Sequence, residues 1–135
     1  MRLDGIDTYY SSENRLMALV IHPTFHKEGI SFLTDDGQFQ QVAYMQHPRG
    51  HEISAHYHNK IPRSVDYTCE TLIIRKGILL VDLYEDEKPI YSFKLKAGDI
   101  LTLFFGGHGF KVLESVEMIE IKQGPFVGPE DKTRF

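Results

Sequence analysis

Hydrophobic residues in this chain fall in short runs and alternations rather than at helical spacing. From Gly29 onward, ISFLT leads into the turn DDG, and QFQQVAYMQH then alternates polar with apolar residues. Alternation of this kind sends one set of side chains to each face of a strand. TLIIR, ILLVDLY, IYSFKL, DILTLF, FKVL and VEMIEIK follow, divided by KG, EDEKP, KAG, GGHG and ES, which are residue types that favour turns. RLMALVI (Arg15 to Ile21) fits either a helix or a short buried strand, because a brief continuous apolar run carries no period. Many short strands at regular spacing predict an all-β sandwich or closed barrel. No helical repeat, low-complexity tract or linker intervenes. The expectation is one domain over residues 1–135, with an N-terminal segment at 1–28 and a C-terminal arm at 123–135.

Strand parity sorts the side chains further. With Glu70 inward, Leu72 and Ile74 follow it, and Cys69, Ile73 and Arg75 face out. With His108 inward, Phe110 and Val112 follow, and Lys111 faces solvent. ILLVDLY is apolar at both parities, which predicts that the outer face of one sheet is also covered, by the N-terminal segment or by a second subunit.

Composition narrows the function classes. The 135 residues suffice for a real core, and 41% hydrophobic with 25% charged residues is a globular mixture. Fifteen Lys and Arg against nineteen Asp and Glu give a net charge of −4, which argues against a nucleic-acid-binding module. No apolar run approaches the roughly 20 residues that span a bilayer, and MRLDGIDTYY lacks the apolar core of a secretory leader. Cys69 is the single cysteine, so no intrachain disulfide forms and a cytoplasmic location is expected.

The unusual stretch is GHEISAHYHNK, Gly50 to Lys60, with three histidines and a glutamate in eleven residues. On a strand, His56 and His58 share a face, where two imidazoles bind a metal, share proton transfer, or simply face water. His22, His26, His47 and His51 are read as surface residues, Glu52 as a solvated rim charge and Cys69 as a packing residue.

Together with later residues this stretch resembles the cupin family. Gly50, His56, His58, then Glu70 and Gly77 follow the order of the first cupin motif, and Gly98 to His108 follows the second, the likeness covering about Ile30 to Lys122. Two departures stand out: the eleven residues NKIPRSVDYTC between His58 and Glu70 make a longer gap than the family's, and Phe104 replaces the proline of the second motif. The resemblance implies a double-stranded β-helix, the cupin or jelly-roll barrel, with His56, His58, Glu70 and His108 as ligands of a divalent metal near its mouth. Iron, manganese, zinc and nickel all accept three imidazoles and one carboxylate.

The run from KEGISFLT through HPRGHEISAHYHNK is also similar to the metal-free nucleotide-sugar isomerase branch of the cupins. That likeness implies His56 and His58 as catalytic acid and base, with Arg49 and Lys60 near a diphosphate. An inward Glu70 would repel such a diphosphate and tilts the choice towards metal.

The expectation is a homodimeric, metal-binding cupin in which the metal acts as a Lewis acid on a small carbohydrate-like or hydroxy-carbonyl molecule. The long segment after His58 would bring Arg63 and Tyr67 to the ligand, with Arg49 beside them. The Gly- and Pro-rich tail KQGPFVGPEDKTRF reads as a surface arm or, through Phe126 and Phe135, as a wall of the pocket or a docking element for a partner. It resembles the tails of cupins associated with polysaccharide biosynthesis. The competing expectations are the metal-free isomerase and a non-catalytic binding module, since one fold serves many chemistries.

Overall fold

A computed structural model describes residues 3–135. The protein is all-β, and its main element is a strongly curled antiparallel sheet that makes half of a barrel. β1 (Ile6–Tyr10) pairs with β2 (Leu16–Ile21), and β2 with β7 (Ile100–Leu103). β7 and β6 (Lys88–Lys96) pair with successive halves of β5 (Glu70–Glu85), so they run end to end along one edge of it. β8 (Gly107–Lys122) runs along the other edge. β3 (Gly29–Phe32) and β4 (Ala43–Gln46) form a separate two-stranded sheet. Among the described residues no helix is long and apolar enough to cross a membrane.

The ambiguous run at Arg15–Ile21 is a strand. Met17, Ala18, Leu19 and Val20 are all buried, so both faces of β2 are covered and the period-2 signature disappears. On one side lies the main core, where Met17, Val20, Leu72, Ile74, Leu79, Val81, Leu83, Leu95 and Leu101 pack together. On the other, Ile6, Leu19, Phe25, Cys69 and Phe104 form a second cluster. Cys69 is the packing residue expected, on the face opposite Glu70, but that face is covered and not outward to solvent. It is buried beside Glu70 because N-terminal residues cover the back of the sheet there.

The dipeptides KG and ES are bends within long strands, not turns between short ones. β5 and β8 each continue for 16 residues, and their register shifts between Ile74 and Leu79. Burial passes from Glu70, Leu72 and Ile74 before the shift to Leu79, Val81 and Leu83 after it. An odd step between the two sets is what irregular pairing in a strand produces. Gly77 sits at the apex with φ +88°, and a Cβ there would lie 2.1 Å from the Ser115 carbonyl oxygen. Only glycine lets the two backbones approach so closely.

The β6–β7 turn is held against this bend. The Asp99 carbonyl accepts from the Ile74 amide, and the Gly98 amide donates to the Ile74 carbonyl. Asp99, 1% exposed, also accepts the Lys96 amide on Oδ2 and His22 Nδ1 on Oδ1 at 2.8 Å. His22 Nε2 meets Asp7 Oδ2 at 2.7 Å. Donation from both ring nitrogens requires the imidazolium. Burial opposes that charge, but the hydrogen bonds and the fields of Asp7 and Asp99 outweigh it and raise the His22 pKa above 6.5. His22, expected at the surface, is thus a half-buried cation joining β1, the end of β2 and the β6–β7 turn.

Two outcomes are expected. Gly77→Ala lowers unfolding free energy by about 3 kcal/mol in urea titration, whereas Gly37→Ala, with nothing within 4 Å of its added Cβ, leaves it unchanged. His22→Gln costs about 2 kcal/mol at acidic to neutral pH. Because the folded pKa is raised, the stability from His22 is complete below 6.5 and fades as pH rises through the folded value. The gap between native and His22→Gln melting temperatures should therefore narrow with increasing pH; a constant gap would refute the charged assignment.

Candidate functional site

Glu70 opens β5 and His108 lies near the start of β8. In the ladder His108 is opposite Leu83, thirteen residues along β5 from Glu70. A straight strand would hold the two about 40 Å apart. The bend at Gly77 and the curl of the sheet instead bring His108 Nε2 to 3.3 Å from Glu70 Oε2. The Glu70 side chain is 7% exposed and that of His108 32%, so the carboxylate forms the floor and the imidazole faces the opening. Hydrogen bonding from His108 is the main cause that lowers the Glu70 pKa. Burial works against it, and the charges of His108, Lys122 and Lys132 assist.

Around this pair is an open cavity of about 880 Å³. Aromatic side chains form a large part of its walls. Tyr67 meets Phe105 edge-on at 5.9 Å, and the Arg15 guanidinium caps the Phe105 ring at 3.6 Å, a cation–π contact that fixes the ring's tilt. On the other side Tyr84 meets Phe135 edge-on at 5.2 Å, and Phe110 lies beside the His108 ring. The C-terminal arm forms part of the wall. Thr68 Oγ1 donates to Asp131, and Lys132, Arg134 and Phe135 line the cavity. Of the two tail phenylalanines, Phe135 borders the cavity, and Phe126 is 89% exposed.

The structure brings together Glu70, His108 and Tyr67 of the sequence-predicted site residues. It does not bring His56, His58, Arg49 or Arg63 to them, and none of these four lines the cavity. The segment 47–68 contains no strand. Within it the His56 and His58 rings lie 5.4 Å apart, and His56 Nδ1 meets the Ser54 carbonyl. His47 and His51 stack at 4.1 Å nearby. The donor set is therefore split into two pairs. Among the described residues no three His, Cys, Asp or Glu side chains are placed to hold one ion. Glu70 and His108 provide one oxygen and one nitrogen donor, short of a metal centre by themselves.

Tyr84, Lys132 and Arg134 line the site, and Arg15 backs its Phe105 wall, without any local motif. Their only sequence signal is residue type, aromatic rings and cations.

Replacing His108 by alanine removes the hydrogen bond that holds the Glu70 charge. Glu70 has a lowered folded pKa, so its contribution is present above the unfolded value of about 4.5 and is lost as pH falls through the folded value. His108→Ala should cost about 2 kcal/mol at neutral pH and move the acid limb of the pH–stability profile upward. An unmoved acid limb would show that the pair is not coupled. A scan against protein-family models, a search of curated proteins and a search of solved structures each find no match for this chain.

Proposed function

We propose that the chain is an open barrel of the double-stranded β-helix type that holds a small carbohydrate-like or hydroxy-carbonyl molecule over Glu70 and His108 and moves a proton on it. The observation that carries this reading is the buried carboxylate hydrogen-bonded to an imidazole at the floor of an aromatic-walled cavity. A cavity of about 880 Å³ falls in the range that accommodates small organic ligands. The faces of Tyr67, Tyr84, Phe105 and Phe135 suit the C–H face of a sugar ring, and Lys132 and Arg134 suit a carboxylate or phosphate on its rim.

The pair has the chemistry for proton transfer next to a carbonyl. The Glu70 carboxylate, its pKa lowered chiefly by His108, stays ionised at neutral pH and orients the imidazole. His108, joined to it and open to the cavity, can pass the proton to or from the ligand.

Melting the protein against a panel of uronates and glyceraldehyde tests this. A stabilising compound should bind about tenfold more weakly, or ~1.4 kcal/mol, to both Glu70→Gln and Phe135→Ala. Protection that survives both substitutions, or no protection by any member of the panel, rejects the cavity as the site.

A further inference from the structure

The C-terminal arm is fastened to the start of β5 at two places and then lines the cavity. Gln123 Oε1 accepts the Cys69 amide at 2.7 Å, and Thr68 Oγ1 donates to Asp131. Between these two ties Phe126 and Val127 stand open to water. Beyond them, Lys132, Thr133, Arg134 and Phe135 all border the cavity. None of residues 129–135 is buried, so this stretch is held by few contacts and belongs to the least stable part of the fold.

The far end of the stretch has a shaped seat. The Phe135 ring meets Tyr84 edge-on and rests against the backbone of Gly107, where an added Cβ would lie 2.8 Å from the ring's Cζ. Gly107 does not have a positive φ, so the space it leaves serves the ring and not the backbone. With Asp131 tied on one side and Phe135 seated on the other, Lys132 and Arg134 are held at the cavity between them. Charge singles out the same two residues. The lining carboxylates have partners: Glu70 has His108, Glu120 has Lys122 at 3.7 Å, and Asp131 has Thr68. Lys132 and Arg134 are the lining's lysine and arginine, and neither forms an ion pair among the described residues. The Lys132 charge is nevertheless felt at Glu70, so an anion held by the stretch lies close to the Glu70–His108 pair.

We propose that residues 132–135 form a specificity strap: Lys132 and Arg134 bind an anionic group carried by a sugar, and the seating of Phe135 against Gly107 and Tyr84 positions the two cations to do so. The proposal rests on the Glu70–His108 cavity as the binding site and names the ligand class it takes, acidic sugars over neutral ones. A guanidinium offers a carboxylate or phosphate two parallel N–H donors, and an ammonium adds a compact charge. A neutral hydroxyl in the same place would draw less from either. Because the strap is lightly held, an anion bound to it also favours the seated position. By linkage, seating and binding then strengthen each other by the same factor.

Melting assays on the full chain compare galacturonate and galactose 6-phosphate with galactose, which differ from it chiefly by the anionic group. Each acid should bind about tenfold more tightly than the neutral sugar. Lys132→Gln/Arg134→Gln, a change confined to exposed side chains, should erase that preference, and so should Gly107→Ala, which unseats the ring while leaving both cations in place. The chain has no tryptophan, so Phe135→Trp supplies a single indole at the seat. Its emission should move to the blue with galacturonate and stay unchanged with galactose. Galactose bound as tightly as the acids, with Glu70→Gln still weakening all three, keeps the cavity and overturns the strap. An acid preference that survives the Lys132 and Arg134 substitutions overturns it as well. A preference lost there but intact in Gly107→Ala, or an indole emission indifferent to galacturonate, overturns the part given to Phe135. Protection by none of the three rejects the cavity, and the strap with it.

Discussion

The close approach of β5 and β8 at Gly77 is the constraint on which the rest of the molecule depends. Two 16-residue strands in regular pairing would form a long, gently twisted ribbon. The contact of Gly77 with the Ser115 carbonyl and the register shifts around it fold that ribbon over. Residues thirteen apart on one strand then face each other, and Leu72, Ile74, Leu79, Val81 and Leu83 enclose a common core. The core in turn makes the bend stable, because straightening it would return those side chains to water. Asp99 and His22 hold the outside of the same bend. The buried carboxylate accepts a backbone amide of its own turn and the imidazolium from the end of β2.

Curvature also explains why the cavity carries a charged pair. Glu70 occupies a core-facing position whose neighbours along the strand, Leu72 and Ile74, are fully packed. An isolated carboxylate there would be costly to bury. His108 supplies the hydrogen bond that makes it tolerable, and Lys122 and Lys132 add favourable charge at the rim. The same arrangement leaves a polar couple at the floor of a space lined by aromatic, aliphatic and charged side chains. Arg15 backs the Phe105 wall and the C-terminal arm supplies another, from opposite ends of the chain, so the site depends on distant segments being folded together.

Residues 47–68 behave differently from everything around them. The half-barrel buries its apolar residues on closely paired strands, whereas this segment exposes Ile53, Tyr57 and Ile61 beside histidines that resemble metal ligands.

Much of the fold was legible from local signals. Alternation and turn residues predicted an all-β chain, and Glu70, Leu72 and Ile74 share a buried face as parity required. Glycine at 77 was visible as a breaker, but the residues around it read as a turn between strands, because a bend and a turn use the same residue types. Cys69 was read as a packing residue on the face opposite Glu70, but parity alone could not show that N-terminal residues cover that face. His22 read as a surface residue because its two carboxylate partners lie 15 and 77 positions away.

By itself, then, the sequence determined the class of fold, the strand-forming segments and the residue types available for chemistry, all properties of neighbouring residues and the backbone's own periods. Tertiary structure decided which of those residues meet. It joined Glu70 to His108, enlisted Phe105 and Phe135 as walls, and left His56 and His58 on an exposed span. Those outcomes follow from strand curvature and from contacts between distant segments, quantities that no local pattern encodes.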